Sequence, residues 1–73
     1  MRSVMVYQIY LKGHLEPDWS EWFDGLEIAN LETGETVLSG PITDQAALYR
    51  ILIKIRDLGL PLLSLSSREG SYW

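Results

Sequence analysis

Leu48, Ile51, Leu52, Ile55 and Leu58 fall on one stripe of a helix running from Asp44 to Leu58. Its ends are marked locally. Thr43 or Asp44 can cap the start. Gly59 suits the left-handed turn after the last residue, Leu60 can fold back on the final turn, and Pro61 prevents continuation. A stripe of this kind has to be buried against another element. No other segment shows so long a helical period, so the partner must be built from strands.

The strands are readable by alternation. In Val4 to Lys12, Met5, Tyr7, Ile9 and Leu11 line one face, and Val4, Val6, Gln8, Tyr10 and Lys12 line the other. Apolar residues on both faces place this strand centrally. Gly13 and His14 end it. Glu16 to Gly25 reads as a short helix with Pro17 in its first turn and Gly25 as its stop. Trp19, Trp22 and Phe23 share one face by spacing. Leu26–Leu31 and Thr36–Ser39 form a hairpin across a turn at residues 32–35, with Gly40-Pro41 breaking the second strand. Leu62–Leu65 is a final short strand. The expected organisation is one domain over residues 1–66 and a tail over 67–73. The fold class is α+β, in the order β, short α, β, β, α, β. That order fits the split, ferredoxin-like plan. It also fits a three-stranded meander whose helix returns the chain to a fourth strand beside the first.

Composition narrows the function classes. The chain has 73 residues, no cysteine and one histidine, which excludes disulfides and thiolate metal sites as staples for a small core. Association with another chain is the staple left open. No apolar run is long enough to cross a bilayer as a helix, and no secretory leader is legible at the N-terminus. A cytoplasmic protein without membrane attachment is the expectation. The net charge of −4 argues against nucleic-acid binding. The charge is also lopsided. Eight carboxylates and no Lys or Arg lie between Gly13 and Tyr49, and Arg50, Lys54 and Arg56 follow directly.

Four blocks are distinctive: Tyr-Gln-Ile-Tyr-Leu-Lys-Gly-His-Leu at 7–15, Trp-Ser-Glu-Trp-Phe-Asp-Gly-Leu-Glu-Ile at 19–28, Leu-Ser-Gly-Pro-Ile-Thr-Asp-Gln-Ala-Ala-Leu at 38–48, and Lys-Ile-Arg-Asp-Leu-Gly-Leu-Pro-Leu-Leu-Ser at 54–64. Over residues 7–65 the chain resembles a group of short bacterial proteins that carry near-identical blocks. The resemblance implies a relationship. It assigns no activity, cofactor or site.

Local catalytic motifs are absent: no phosphate loop, dinucleotide fingerprint, nucleophile elbow or zinc-protease pair is present. His14 could act as a general base but has no partner in the sequence, and Ser20 has no surrounding elbow. The expected catalytic and metal sets are therefore empty, and no cofactor is implied. Two binding surfaces remain. Tyr10, His14, Trp19 and Trp22 could line a small-molecule pocket. Ala46, Tyr49 and Ile53, with Arg50 beside them, form a second apolar strip on the main helix that could meet another chain. The preferred reading is a non-enzymatic, homodimeric interaction module. A dimeric small-molecule binder or enzyme is the alternative, and recognition of a basic partner through residues 16–35 is a third reading.

Overall fold

A computed structural model describes residues 2–72, with side chains described for residues 5–16 and 18–68. Expectations that involve the side chain of Val4 or the docking of Tyr72 and Trp73 lie outside the described residues.

Four strands form one antiparallel sheet: β1 (Arg2–Lys12), β2 (Glu27–Asn30), β3 (Glu35–Ile42) and β4 (Leu62–Tyr72). Their spatial order is β2-β3-β1-β4. A 3-10 helix, Pro17–Phe23, joins β1 to β2, and one α-helix, α1 (Gln45–Leu58), joins β3 to β4. Each crossover skips one strand, so the arrangement is the split plan and not the meander. β1 is central, as its two apolar faces require. The element that departs from the regular plan is the first crossover. Its seven residues make a 3-10 turn in place of a full helix, and Asp24 (φ 58°) ends it in the left-handed region, one residue before Gly25.

Asp44 is the cap of α1. Its backbone is extended, and its carboxylate accepts from the Ala47 N–H at 2.7 Å. Gly59 (φ 77°) closes the other end by donating its N–H to the Arg56 carbonyl at 3.0 Å. The deepest line of the helix is Ala47, Ile51 and Ile55, while Leu48, Leu52 and Leu58 are only partly buried. These residues meet Ile9, Leu11, Leu38 and Ile42 from the sheet and Leu15, Phe23 and Leu26 from the first crossover. The flank bearing Arg50 and Lys54 faces the 3-10 helix. The opposite flank, with Leu48 and Leu52, is therefore turned toward the β4 side.

Two boundaries differ from expectation by more than two residues. Gly40-Pro41 does not break β3, which continues to Ile42 with Gly40 opposite Tyr7 and Pro41 opposite Val6. β2 pairs with β3 only from Thr36 to Ser39, so beyond that point β3 has an open edge. A proline is tolerated there because no ladder bond is required of its nitrogen. The second difference is β4. The expected strand ends at Leu65, but pairing with β1 runs on to Tyr72 opposite Arg2. Residues 67–72 are thus strand and not a tail. Ser66–Tyr72 is poor in apolar residues and carries a weak local signal, and a distant edge of β1 recruits it.

β1 and β3 pair from Met5 to Lys12, whereas β1 and β4 pair from Arg2 onward. Arg2–Val4 and their partners Gly70–Tyr72 therefore form a two-stranded ribbon beyond the end of β3. Eleven-residue strands extend roughly 36 Å, and a fourteen-residue helix covers roughly 21 Å. One α-helix and a short 3-10 turn cannot cover the helix-facing side of four strands. What stays uncovered is β4. Leu62, Leu63 and Leu65 are 49%, 47% and 41% exposed, and Met5 on the adjacent strand is 37% exposed.

Candidate functional site

His14 lies past the end of β1, where the chain crosses to the 3-10 helix. Its Nε2 is 2.8 Å from the carbonyl oxygen of Leu31 at the hairpin turn. The ring bonds to backbone and sits in solvent. Around it the connection is tied to the hairpin by a small polar network. Asn30 Nδ2 donates to the Leu15 carbonyl at 2.7 Å, and Asn30 Oδ1 accepts from the Leu15 N–H at 3.0 Å. Thr36 is fully buried. Its single hydroxyl proton is shared between the Gly13 carbonyl (2.6 Å) and Asn30 Oδ1 (2.7 Å). The Gly13 N–H donates to Gly34 at 2.8 Å. Nothing in the strand alternation marks Asn30 and Thr36 as partners of residues 13–15, since the bonds depend on how the crossover folds back.

The network makes a measurable demand on stability. Asn30→Ala would strip both backbone groups of Leu15 of their partner. The expected loss is about 1–3 kcal/mol in urea unfolding, with faster hydrogen exchange at the Leu15 amide. A change within ~0.5 kcal/mol, the range of an ordinary surface substitution, would show that water replaces the side chain at no cost.

The aromatic segment is partly core and partly surface. Phe23 is fully buried, Trp22 is half-buried and Trp19 is 37% exposed. Trp22 stands edge-on to both neighbours, with ring centroids 5.3 Å from Trp19 and 5.0 Å from Phe23. Lys54 reaches over from α1. Its ammonium donates to the Trp22 carbonyl at 2.6 Å and sits 5.5 Å from the Trp22 ring centroid. Asp24 lies 3.9 Å from Lys54 and 4.0 Å from Arg50. One acidic residue of the 16–35 stretch thus meets the basic face of α1. The other carboxylates there are exposed or partly so. Arg50 is well exposed, so its contact with Asp24 is a loose one.

The four pocket candidates are not gathered. Tyr10 is on the sheet face opposite Ile9 and Leu11, and Trp22 and Phe23 pack on the Ile9 side. His14 is bonded to the hairpin. The helix strip is placed as its spacing implies: Tyr49 is 57% exposed, Ile53 48%, and Ala46 is also exposed. Two residues along from the buried line, the strip points away from the sheet.

The open face of the sheet carries a further feature. Val6, Gln8, Glu27, Ser39, Pro41 and Arg68 line a shallow concavity of about 350 Å³. It has a carboxylate on β2 and a guanidinium on β4, with the Gln8 amide and the Ser39 hydroxyl between them. The alternation of β1 sets Val6 and Gln8 on this face. Arg68 could not be placed without the extension of β4. Among the described residues no helix is long and apolar enough to cross a membrane.

No curated protein and no solved structure shows significant similarity to the chain. One family does match, and its span agrees closely with the four blocks over residues 7–65. The match covers residues 6–66, and the chain belongs to that family, described as Domain of unknown function (DUF8691).

Proposed function

We propose that the protein is a small interaction module that works as a homodimer, by binding and not by catalysis. The observation that supports this reading is the uncovered β4. Leu62, Leu63 and Leu65 stand exposed along the first half of β4, and Met5 is exposed farther along β1, opposite Glu69. A domain of this size can ill spare so much apolar side chain to water. A second chain laid against β4 would bury it and add the contact area that a 73-residue core lacks.

The charge distribution fits a module that selects its partner. Most carboxylates of the 16–35 stretch remain available to solvent, on the first crossover and the hairpin and away from β4. They discourage association through that side of the molecule and leave the β4 side as the less charged approach.

Light scattering at micromolar concentration is expected to give about twice the 8.4 kDa chain mass, and the value should hold as salt is raised. Leu65→Glu should return the mass to that of one chain with the far-UV spectrum unchanged. Tyr49→Glu tests the helix strip separately. If Tyr49→Glu dissociates the dimer and Leu65→Glu does not, the contact moves to α1. A monomer at all concentrations removes the reading.

A further inference from the structure

We infer that two copies of the chain join edge to edge through β4, antiparallel, with the two-fold axis at Ser67. This rests on the dimer reading above and specifies its geometry. Among the described residues β4 pairs only with β1, so alternate N–H and C=O groups along its eleven residues point outward without a strand partner. Native edge strands are usually guarded by proline, by several charges or by shortness. β4 has no proline, is as long as the central strand, and carries one Arg and one Glu in Leu-Leu-Ser-Leu-Ser-Ser-Arg-Glu-Gly-Ser-Tyr. Its one irregularity lies near the start, where the pairing shifts between Tyr10 and Leu11. The other edge of the sheet, β2, is four residues long and bears Glu27. It offers little to a partner.

The register follows from symmetry and charge. A two-fold axis perpendicular to the sheet keeps each face in place, so the axis must pass through a residue position. Residues equally far from it on the two copies then lie opposite each other. An axis at Arg68 or Glu69 would set like charges face to face, which is destabilising. An axis at Ser66 leaves the last two residues of the strand without partners. At Ser67 all of Leu62–Tyr72 lies opposite the second copy, in unbroken register from Ser64 to Gly70. Arg68 then lies opposite Ser66 of the second copy, and Glu69 opposite Leu65. The exposed leucines of each copy run beside the ribbon end of the other. That ribbon, two strands wide in one chain, gains a third strand. Two-stranded ribbons are marginal in water, and a third strand is what stabilises them. The result is a continuous eight-stranded sheet with an α-helix on the same side at each end. The two concavities holding Arg68 lie on the opposite side, next to the axis.

The chain contains no cysteine, so a single introduced thiol reports on one position. Ser67→Cys places two thiols directly opposite each other, within the Cα separation that a disulfide spans. Ser64→Cys is a matched control. It is exposed on the same strand, but the geometry puts it about 20 Å from its own copy. Under mild oxidation Ser67→Cys should form a covalent dimer at least about tenfold faster than Ser64→Cys, as expected for an intramolecular reaction. Far-UV spectra and light scattering of both variants establish that they are folded and give their reduced mass. A dimeric mass with equal or absent cross-linking at the two positions overturns the β4 pairing and leaves the dimer reading standing. A folded monomer overturns both.

Discussion

Phe23→Ala is expected to cost about 3–5 kcal/mol and to leave much of the protein unfolded in mild denaturant. Phe23 is the largest of the fully buried side chains. It comes from the end of a seven-residue 3-10 helix, an element whose own hydrogen bonds hold it weakly. The crossover therefore depends on this ring as its anchor, and Trp22 depends on it in turn through their edge contact. At 0.05–0.15 kcal/mol per residue, a chain of this length has roughly 4–11 kcal/mol in total. One cavity would remove a large share of that. Urea unfolding followed by circular dichroism gives the number. Phe23→Leu keeps most of the volume and should restore more than half of the loss. A cost below about 1 kcal/mol for the alanine variant would place it among ordinary substitutions and show that the core closes over the gap.

Gly40→Ala should be nearly as severe, at about 2–5 kcal/mol from overpacking and backbone strain combined. Gly40 sits inside β3 at φ 150°, a conformation that side-chain-bearing residues rarely adopt. A Cβ there would meet Leu26 Cδ2 at 2.8 Å and the Leu26 Cα at 3.8 Å. Leu26 is almost fully buried, so its side chain has little room to retreat. The two contributions can be separated by a double-mutant cycle with Leu26→Ala. The clash disappears in the double variant, whereas the backbone strain persists. The pair should therefore be less destabilising than the sum of the single changes. Strict additivity would assign the whole effect to backbone conformation.

These positions show which parts of the fold are legible in the sequence. Asp44 and Gly59 are read correctly because capping is local, and the helical period of α1 is legible for the same reason, although its deepest line runs through Ala47 and leaves Leu48, Leu52 and Leu58 partly buried. The central place of β1 follows from its two apolar faces. The Gly40-Pro41 pair misleads because its meaning depends on the neighbouring strand. Where β2 has already ended, the proline needs no donor, and the glycine makes space for Leu26. Residues 67–72 mislead for a related reason, since their strand character comes from pairing with Arg2–Tyr7. In the candidate site, the separation of Tyr10 from Trp22 was available from alternation: Tyr10 opposes Ile9 and Leu11, the face that an aromatic plug must cover. The bonds of Asn30 and Thr36 to residues 13–15 had no such signal. They arise from a fold-back that no periodicity encodes.

The pairing of Arg2 with Tyr72 bears on how the molecule assembles in time. The middle strand acquires its second neighbour only when segments from the two extremes of the described chain come together. Loop closure of that span is paid before the ladder returns anything, so folding is slow for so short a polypeptide. Until the last ladder zips, the strand at the heart of the sheet is itself a bare margin. Crowded nascent chains are then at their most vulnerable to joining through the wrong partner.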